Sequence, residues 1–329
     1  MEIVTLDGYK PMHSGEEYLG VIRAAKASNP TPFQSGYRVK TGAMTASGKI
    51  VSGGNYEYGL TRANHGEQSV LVGAQNQYPG DLVTIMGFSA DEFSGRVPRH
   101  CGNCRDNIIA AAHPDMETIA GTLEKVLVLP FKQTYTREDE DFERTYALNA
   151  DELEMTSKLS DYVNLTSNPY STQEDAGERV YAAGIAFGGS EWIHGLFLPD
   201  VAYWAANPIQ AATIKWQGAV RDKRDQNIET LVVVLGPKAS VPYVDRQHFM
   251  EFLDLYAKTN NVPVLLARQK PVGEPGWDYF KTTSQEWLPY PFTPSVLMND
   301  QELAAEREIR QKQLGIFYTP DPDPNLQEQ

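Results

Sequence analysis

The sequence predicts a layered α/β fold present twice, and three observations carry that expectation. Between residues 37 and 130, short apolar and β-branched runs alternate with stretches of helical spacing in the order strand, strand, helix, strand, helix, strand, as in layered α/β domains. The same order returns between residues 180 and 268. Segments at matching places also resemble one another. Ser69-Val70-Leu71-Val72-Gly73-Ala74 stands against Ile214-Lys215-Trp216-Gln217-Gly218-Ala219, and Leu82-Val83-Thr84-Ile85-Met86-Gly87 against Leu231-Val232-Val233-Val234-Leu235-Gly236, which points to an internal duplication.

In the first copy, residues 37–45 and 49–55 read as a hairpin, because apolar and β-branched runs flank the turn-favouring pair Ser47-Gly48. A helix is expected over about 63–77, where Ala63, Val70, Leu71 and Ala74 recur near helical spacing and Asn64 or a neighbour caps the start. His65 and Glu67 then fall in its first turn. Residues 82–88 form a strand-type run, a Gly/Pro-containing loop extends through 98, and a second helix opens near Gly102 with Ile108, Ile109 and Ala112 as its inner face. A strand at about 124–129 closes the copy. In the second copy the expected strands are 180–187, 192–198, 230–235 and 262–267, with helices at about 205–219 and 244–258.

The acidic, turn-poor stretch 136–175 reads as a linker holding a short helix near Ala150-Asp151-Glu152-Leu153. The expected division is therefore a catalytic domain over 1–135, an acidic linker over 136–175, a non-catalytic second copy over 176–272 and a tail over 273–329. Aromatic residues of the tail, Trp277, Phe280 and Trp287, either pack on the domains or wall a pocket.

Composition excludes several classes. The 329 residues include 41% hydrophobic and 22% charged ones, the balance of a soluble globular protein of about two domains. No run approaches the roughly 18 consecutive apolar residues of a membrane span, and the start at Met1 lacks a basic, then apolar leader, so a cytoplasmic protein is expected. With 29 Lys+Arg against 43 Asp+Glu the net charge is −14, which disfavours nucleic-acid polymers and anionic membranes as partners. Acidic runs such as Arg137-Glu138-Asp139-Glu140-Asp141 are read as solvated faces.

Both cysteines fall in one short stretch, Cys101-Gly102-Asn103-Cys104, and His65-Gly66-Glu67 precedes them. Zinc takes thiolate and imidazole ligands, and three protein ligands with an open fourth position describe a catalytic site. Two thiolates and a neutral imidazole balance Zn²⁺, and a water at the open position is acidified towards hydroxide near neutral pH. Glu67, two residues from His65 and not needed as a ligand, is placed to accept that proton and return it to a leaving group. The pattern H-x-E with C-x-x-C is a general signature of zinc-dependent nucleobase deaminases. Two other readings stay open: a core His, a solvated Glu and two buried thiols that merely lie near one another, and a structural zinc completed by His100 or His113.

On these motifs the chain resembles the cytidine deaminase family, and in particular its bacterial form with two copies of the fold in one subunit, one of them catalytically inert. The resemblance extends over roughly 29–130 and continues weakly over 180–268. His65-Gly66-Glu67-Gln68-Ser69 is similar to the family's His-Ala-Glu-Gln-Ser motif, which implies His65 as a zinc ligand and Glu67 as proton shuttle. Cys101 and Cys104 match its thiolate ligands. Gly54-Asn55-Tyr56-Glu57 resembles the Asn-x-Glu element, implying that Asn55 and Glu57 bind the ribose. The segment 29–39, Asn29-Pro30-Thr31-Pro32-Phe33-Gln34-Ser35-Gly36-Tyr37-Arg38-Val39, is similar to the family's approach to the first strand, implying that Phe33 helps enclose the base. His100 stands where the family has Pro before the first Cys, and is expected to add a polar contact beside the substrate.

What the resemblance implies is a duplicated three-layer fold, a mixed sheet flanked by helices, that converts cytidine or deoxycytidine to uridine or deoxyuridine with release of ammonia. Another amino-heterocycle or a modified nucleoside is the alternative substrate, and a nucleoside-binding protein with a structural zinc the alternative of another class. In the second copy, matching Gly218-Ala219 to Gly73-Ala74 sets Gln210, Ala211 and Ala212 opposite His65, Gly66 and Glu67, so the chemistry is lost there. Tyr203, Trp204 and Trp216, around the same helix, suggest a buried face. A homodimer with one zinc per chain is the expected assembly.

Overall fold

The computed structural model describes residues 1–6, 8–33, 35–57, 63–134, 148–165, 181–187, 191–196, 207–219, 228–237, 239–256, 261–270, 274, 276–291, 293, 299, 301–306 and 308–309. The chain divides into two compact units, Met1–Thr136 and Arg137–Gln329.

The first unit opens with β1 (Glu2–Thr5) and α1 (Gly15–Ala27), two elements not anticipated from the sequence. The signal for α1 was present: Ser14 and Glu17 form a capping box, and Tyr18, Val21, Ile22 and Ala25 recur at helical spacing and are fully buried. The expected hairpin is β2 (Lys40–Thr45) and β3 (Ile50–Gly54), with Gly48 at φ +80° in its turn. Two short strands, β4 (Tyr56–Glu57) and β5 (Ala63–Asn64), pair with each other and lead into α2 (Gly66–Gln77). Then come β6 (Val83–Ser89), α3 (Gly102–Ala111), β7 (Ala112–Gly121) and β8 (Lys125–Pro130), followed by a 3₁₀ turn at Phe131–Thr134.

Strand β7 was missed because α3 passes into it without a loop. Pro114 cannot continue a helix, so Ala112 belongs to the strand rather than to the helix's inner face, and Ile109 is exposed while Ile108 is buried.

The six strands are ordered β1-β8-β7-β6-β2-β3. The β6–β7 and β1–β8 pairs are parallel and the rest antiparallel. Successive residues of a strand face opposite sides, and this sorts the layers. Gly42 faces α1, where a Cβ would lie 2.9 Å from the backbone nitrogen of Ala25, and its neighbour Thr41 faces Gly66 of α2. On β7, Glu117 takes the hydroxyl of Tyr18 from α1 at 2.6 Å, while Thr118 faces His100. The result is a mixed sheet with α1 on one face and α2 and α3 on the other. The α1 side buries Tyr18, Val21 and Ile22 against Met44, Ile85, Ile119, Val126 and Val128, at about 1.5–3 kcal/mol for each large apolar side chain.

The second unit contains α4 (Ala150–Leu165), β9 (Tyr181–Phe187), β10 (Glu191–Leu196), α5 (Pro208–Ala219), β11 (Ile228–Leu235), α6 (Tyr243–Tyr256), β12 (Pro263–Gln269), β13 (Trp277–Thr283) and the single turn α7 (Ser284–Trp287). Its strand order is β10-β9-β11-β12-β13, with β11–β12 parallel and the other pairs antiparallel. That order and pairing sense equal those of β3-β2-β6-β7-β8.

Two expectations change here. The stretch 136–175, read as a linker with a short helix, supplies the 16-residue α4, whose Met155, Leu159 and Val163 pack with Ala182, Val232, Val234, Leu265 and Ala267 in the core of the second unit. Part of the stretch read as a tail is the fifth strand: Trp277 and Tyr279 of β13 pack against that core, Phe280 is half-buried on the same strand, and Trp287 is fully buried beneath Arg246. Tyr203 and Trp204 lie outside the described residues. No helix among the described residues is long and apolar enough to cross a membrane.

Candidate active site

The N-termini of α2 and α3 bring the motif residues together. His65 and Cys101 are the caps of these helices, both with extended backbone (φ −76°, ψ 157° and φ −68°, ψ 163°), and Cys104 lies one turn into α3. A cap and the residue three further on share one side of a helix start, so the spacing C-x-x-C delivers both sulfurs to the same place. His65 Nδ1 is 3.2 Å from each Sγ. The three ligand atoms lie within 4.8 Å of one another. Tetrahedral zinc with ordinary Zn–N and Zn–S bonds sets nitrogen and sulfur about 3.6 Å apart, so the donors fit the ion after an expansion of a few tenths of an ångström.

Without metal the three groups share protons. The hydrogen bond to Cys101 lifts His65 to about 9 against the opposing effect of burial. The Cys104 thiol, donating to Cys101, brings Cys101 down to about 5 although burial works the other way, with His65 helping. As that donor, and because it is buried, Cys104 is pushed up. Negative charge thus concentrates on Cys101, and a divalent cation would displace the protons held by the other two.

Glu67 stands beside the three donors and outside their set. Its side chain is buried in the first turn of α2. Burial alone would raise its carboxyl, but the hydrogen bond and charge of His100, a backbone N–H and the charge of His65 outweigh it and hold the group below its ordinary value. Its charge is also felt by Cys104 and helps to keep that thiol up.

His100, expected beside the substrate, is fully buried, with Nδ1 3.3 Å from Glu67 Oε1 and Nε2 3.2 Å from Thr118 Oγ1. Phe88 and Phe131 bracket the ring at 5.2 and 5.4 Å between centroids. Its carbonyl accepts from Arg105 Nε at 2.9 Å, and the buried Arg105 also donates to the carbonyl of Thr134.

Asn55 and Glu57, both buried, are tied to the segment 35–39. Asn55 Oδ1 accepts from Val39 N at 2.9 Å and its Nδ2 donates to the Tyr37 carbonyl at 2.7 Å, while Glu57 accepts from the backbone and hydroxyl of Ser35. Phe33 is 69% exposed and is not brought to the cluster. Tyr37, which sequence reasoning did not single out, is 49% exposed; partial burial and then the charge of Glu67 push its phenol up. Thr41 Oγ1, packed against Gly66 between His65 and Glu67, is buried without a hydrogen-bond partner.

No protein-family model matches the chain, and no curated protein matches it. Among solved structures, it is similar to the cytidine deaminase from Burkholderia pseudomallei, at 22% identity over 37% of this chain and 95% of that one, with a TM-score of 0.31. The cytidine deaminase from Mycobacterium leprae is 19% identical over 35% of this chain and 94% of that one, with a TM-score of 0.26.

The second unit repeats the frame without the donors. Arg246 donates Nε to the carbonyl of Val241 at 3.1 Å and Nη1 to that of Trp287 at 3.2 Å, as Arg105 does to His100 and Thr134. Val241 therefore stands for His100, Pro242 for Cys101 and Asp245 for Cys104, and Asp245 accepts from the Tyr181 hydroxyl. A Cβ at Gly53 would press on Val70 N and one at Gly195 on Ala212 N, which aligns α5 with α2. In that register Asn207, Pro208 and Ile209 stand for His65, Gly66 and Glu67. The sequence match through Gly218-Ala219 was three residues out, because it set Ala74, three residues before the end of α2, against Ala219, the last residue of α5. His248 Nε2 lies 3.0 Å from Thr213 Oγ1 in this unit, and burial pushes it down.

Proposed function

We propose that the first unit binds zinc through His65, Cys101 and Cys104 and hydrolytically deaminates a free nucleoside, with cytidine or deoxycytidine the leading substrate. The observation that carries this reading is the pairing of three donors within 4.8 Å with a buried, ionised carboxylate next to them that is not one of them. A structural zinc needs no such neighbour. When bound, zinc supplies the acidity that makes water a nucleophile near neutral pH.

The protein's own part falls to Glu67. It accepts one proton from the attacking water and delivers it to the ring nitrogen next to the attacked carbon. It then takes the remaining proton of the new hydroxyl and passes it to the departing amine, so that the carbon–nitrogen bond breaks, a carbonyl forms and ammonia leaves. Tyr37 is assigned to the base side of the pocket. Asn55 and Glu57 shape the sugar side by holding residues 35–39 in place. The second unit is proposed as an inert copy of the first, and the chain as a homodimer of about 73 kDa, twice the 36.7 kDa of one chain.

Ammonia release, measured across cytidine, deoxycytidine, adenosine, guanine and modified cytidines, tests the activity, with Glu67→Gln as control. The variant is expected to keep zinc and to lose about 10²–10⁴-fold in kcat, the usual worth of a general acid–base group. Bound zinc with no ammonia from any of these compounds would make the metal structural. A Glu67→Gln protein that works at wild-type rate would remove Glu67 from the mechanism.

A further inference from the structure

His100 is a fully buried histidine with a partner on each ring nitrogen, and the mechanism above gives it no task. Its environment is over-determined. Phe88 and Phe131 fix the ring plane, Arg105 fixes the backbone carbonyl, Thr118 of β7 fixes Nε2, and Nδ1 is left pointing at one oxygen of Glu67. A carboxylate can only accept, so Nδ1 carries the hydrogen of that contact, and the Thr118 hydroxyl stands within hydrogen-bond distance of Nε2. Chain connectivity makes the arrangement efficient. His100 precedes the cap of α3, and the same backbone that sets Cys101 sets the imidazole, so one rigid piece places both a sulfur and the group that orients the carboxylate.

We propose that His100 is a positioning residue that holds one oxygen of Glu67 through Nδ1–H, with Thr118 at Nε2 holding the ring in the orientation that makes this contact. The assignment of this role rests on the deaminase reading of Glu67; the hydrogen-bond chain itself does not. A side chain free to rotate would spend part of its time turned away from the reacting atoms, and groups that orient a site in this way are ordinarily worth 10- to 100-fold.

The test uses the zinc-loaded full-length chain and two kinds of readout. In ¹⁵N-histidine NMR of the wild-type protein, His100 is expected to show a protonated Nδ1 in slow exchange with water, and a bare Nδ1 overturns the proposal whether or not any nucleoside is turned over. In kinetics, His100→Leu is expected to keep one zinc and an unchanged cobalt–thiolate spectrum, leave KM within about twofold and lower kcat 10- to 100-fold. His100→Asn, whose amide nitrogen can stand near the position of Nδ1, is expected to regain at least half of that loss on a logarithmic scale, and Thr118→Val to lose about three- to tenfold. A zinc-loaded His100→Leu protein with wild-type kcat, or a His100→Asn protein no better than Leu, also overturns it. Should His100→Leu fail to fold, the NMR result and Thr118→Val decide. If the wild-type chain releases no ammonia, the deaminase reading fails by itself and the NMR result still decides the hydrogen-bond chain.

Discussion

Gly66, between His65 and Glu67, is the position where the smallest change should be most telling. A methyl group there would lie 3.1 Å from Val39 Cγ1 and 3.2 Å from Thr41 Cβ, and well inside contact distance of Thr41 Oγ1. Overpacking of this kind costs about 1–3 kcal/mol, while Gly→Ala in a helix returns up to about 1 kcal/mol, so Gly66→Ala is expected to destabilise the first unit by about 1–2 kcal/mol net. Thr41 offers the compensation. Its hydroxyl is buried without a partner, a state that costs about 1–3 kcal/mol, so Thr41→Val should stabilise by about 1 kcal/mol, and Thr41→Ala combined with Gly66→Ala should return to within about 1 kcal/mol of wild type. Both cysteines lie in the first unit, so urea-induced thiol exposure in the metal-free protein reports on that unit alone. At a slope of about 2 kcal/mol per molar urea, Gly66→Ala should move the midpoint down by about 0.5–1 M. A Gly66→Ala protein as stable as wild type, with the same zinc affinity, would refute the claim that β2 and α2 are in hard contact at this point.

Further outcomes follow from the same geometry. Removing Arg105 as Arg105→Met leaves the carbonyls of His100 and Thr134 without that donor and should cost about 2–5 kcal/mol in the same urea assay; a loss under 1 kcal/mol would show that the guanidinium is not what ties α3 to the turn after β8. Zinc affinity should weaken as pH falls from 8 to 6, because His65, lifted to about 9, and the raised Cys104 must give up protons to bind the ion; a flat competition titration against a chelator would contradict this. Elemental analysis should give one zinc per chain and none after Cys101→Ser with Cys104→Ser, since Asn207, Pro242 and Asp245 occupy the corresponding places in the second unit.

The parts of the molecule that were legible in the sequence are those with a local physical cause. The spacing of His65, Glu67, Cys101 and Cys104 places them on two helix starts, and a helix start has a fixed geometry wherever it occurs. The hairpin at Ser47-Gly48 is legible for the same reason, a turn that needs glycine at φ +80°. What escaped depends on distant partners. That His100 faces Glu67 and not a ligand follows from Thr118, Phe88 and Phe131, contributed by β7, β6 and the turn after β8, and no local pattern announces that meeting. Asn55 and Glu57 alternate on the sequence as a pair, and their hydrogen bonds to the backbone of residues 35–39 and to the Ser35 hydroxyl depend on a segment that no local pattern ties to them. The acidic surface of 150–165 hid the length of its helix and its place in the core, because only Met155, Leu159 and Val163, one stripe of it, are needed to join that core.

The two units show which residues the frame requires and which the chemistry requires. Arg105 and Arg246 each bridge a carbonyl five residues back to a carbonyl far along the chain, and both are buried although an unpaired guanidinium would be costly there. Gly42 and Gly184 occupy one register position on the second strand of the order, each where a Cβ would run into the preceding helix, α1 or α4. These positions agree because strand order and helix approach leave no other solution. At 65, 101 and 104 the counterparts differ, and the fold accepts Asn207, Pro242 and Asp245, since a helix cap can be Asn, the residue at a helix start can be Pro, and Asp245 finds the Tyr181 hydroxyl. Metal ligands are therefore additions to a frame that stands without them. That is why substitution of Cys101 or Cys104 should abolish zinc binding and leave the strand order of the first unit intact, whereas loss of Arg105 should damage both.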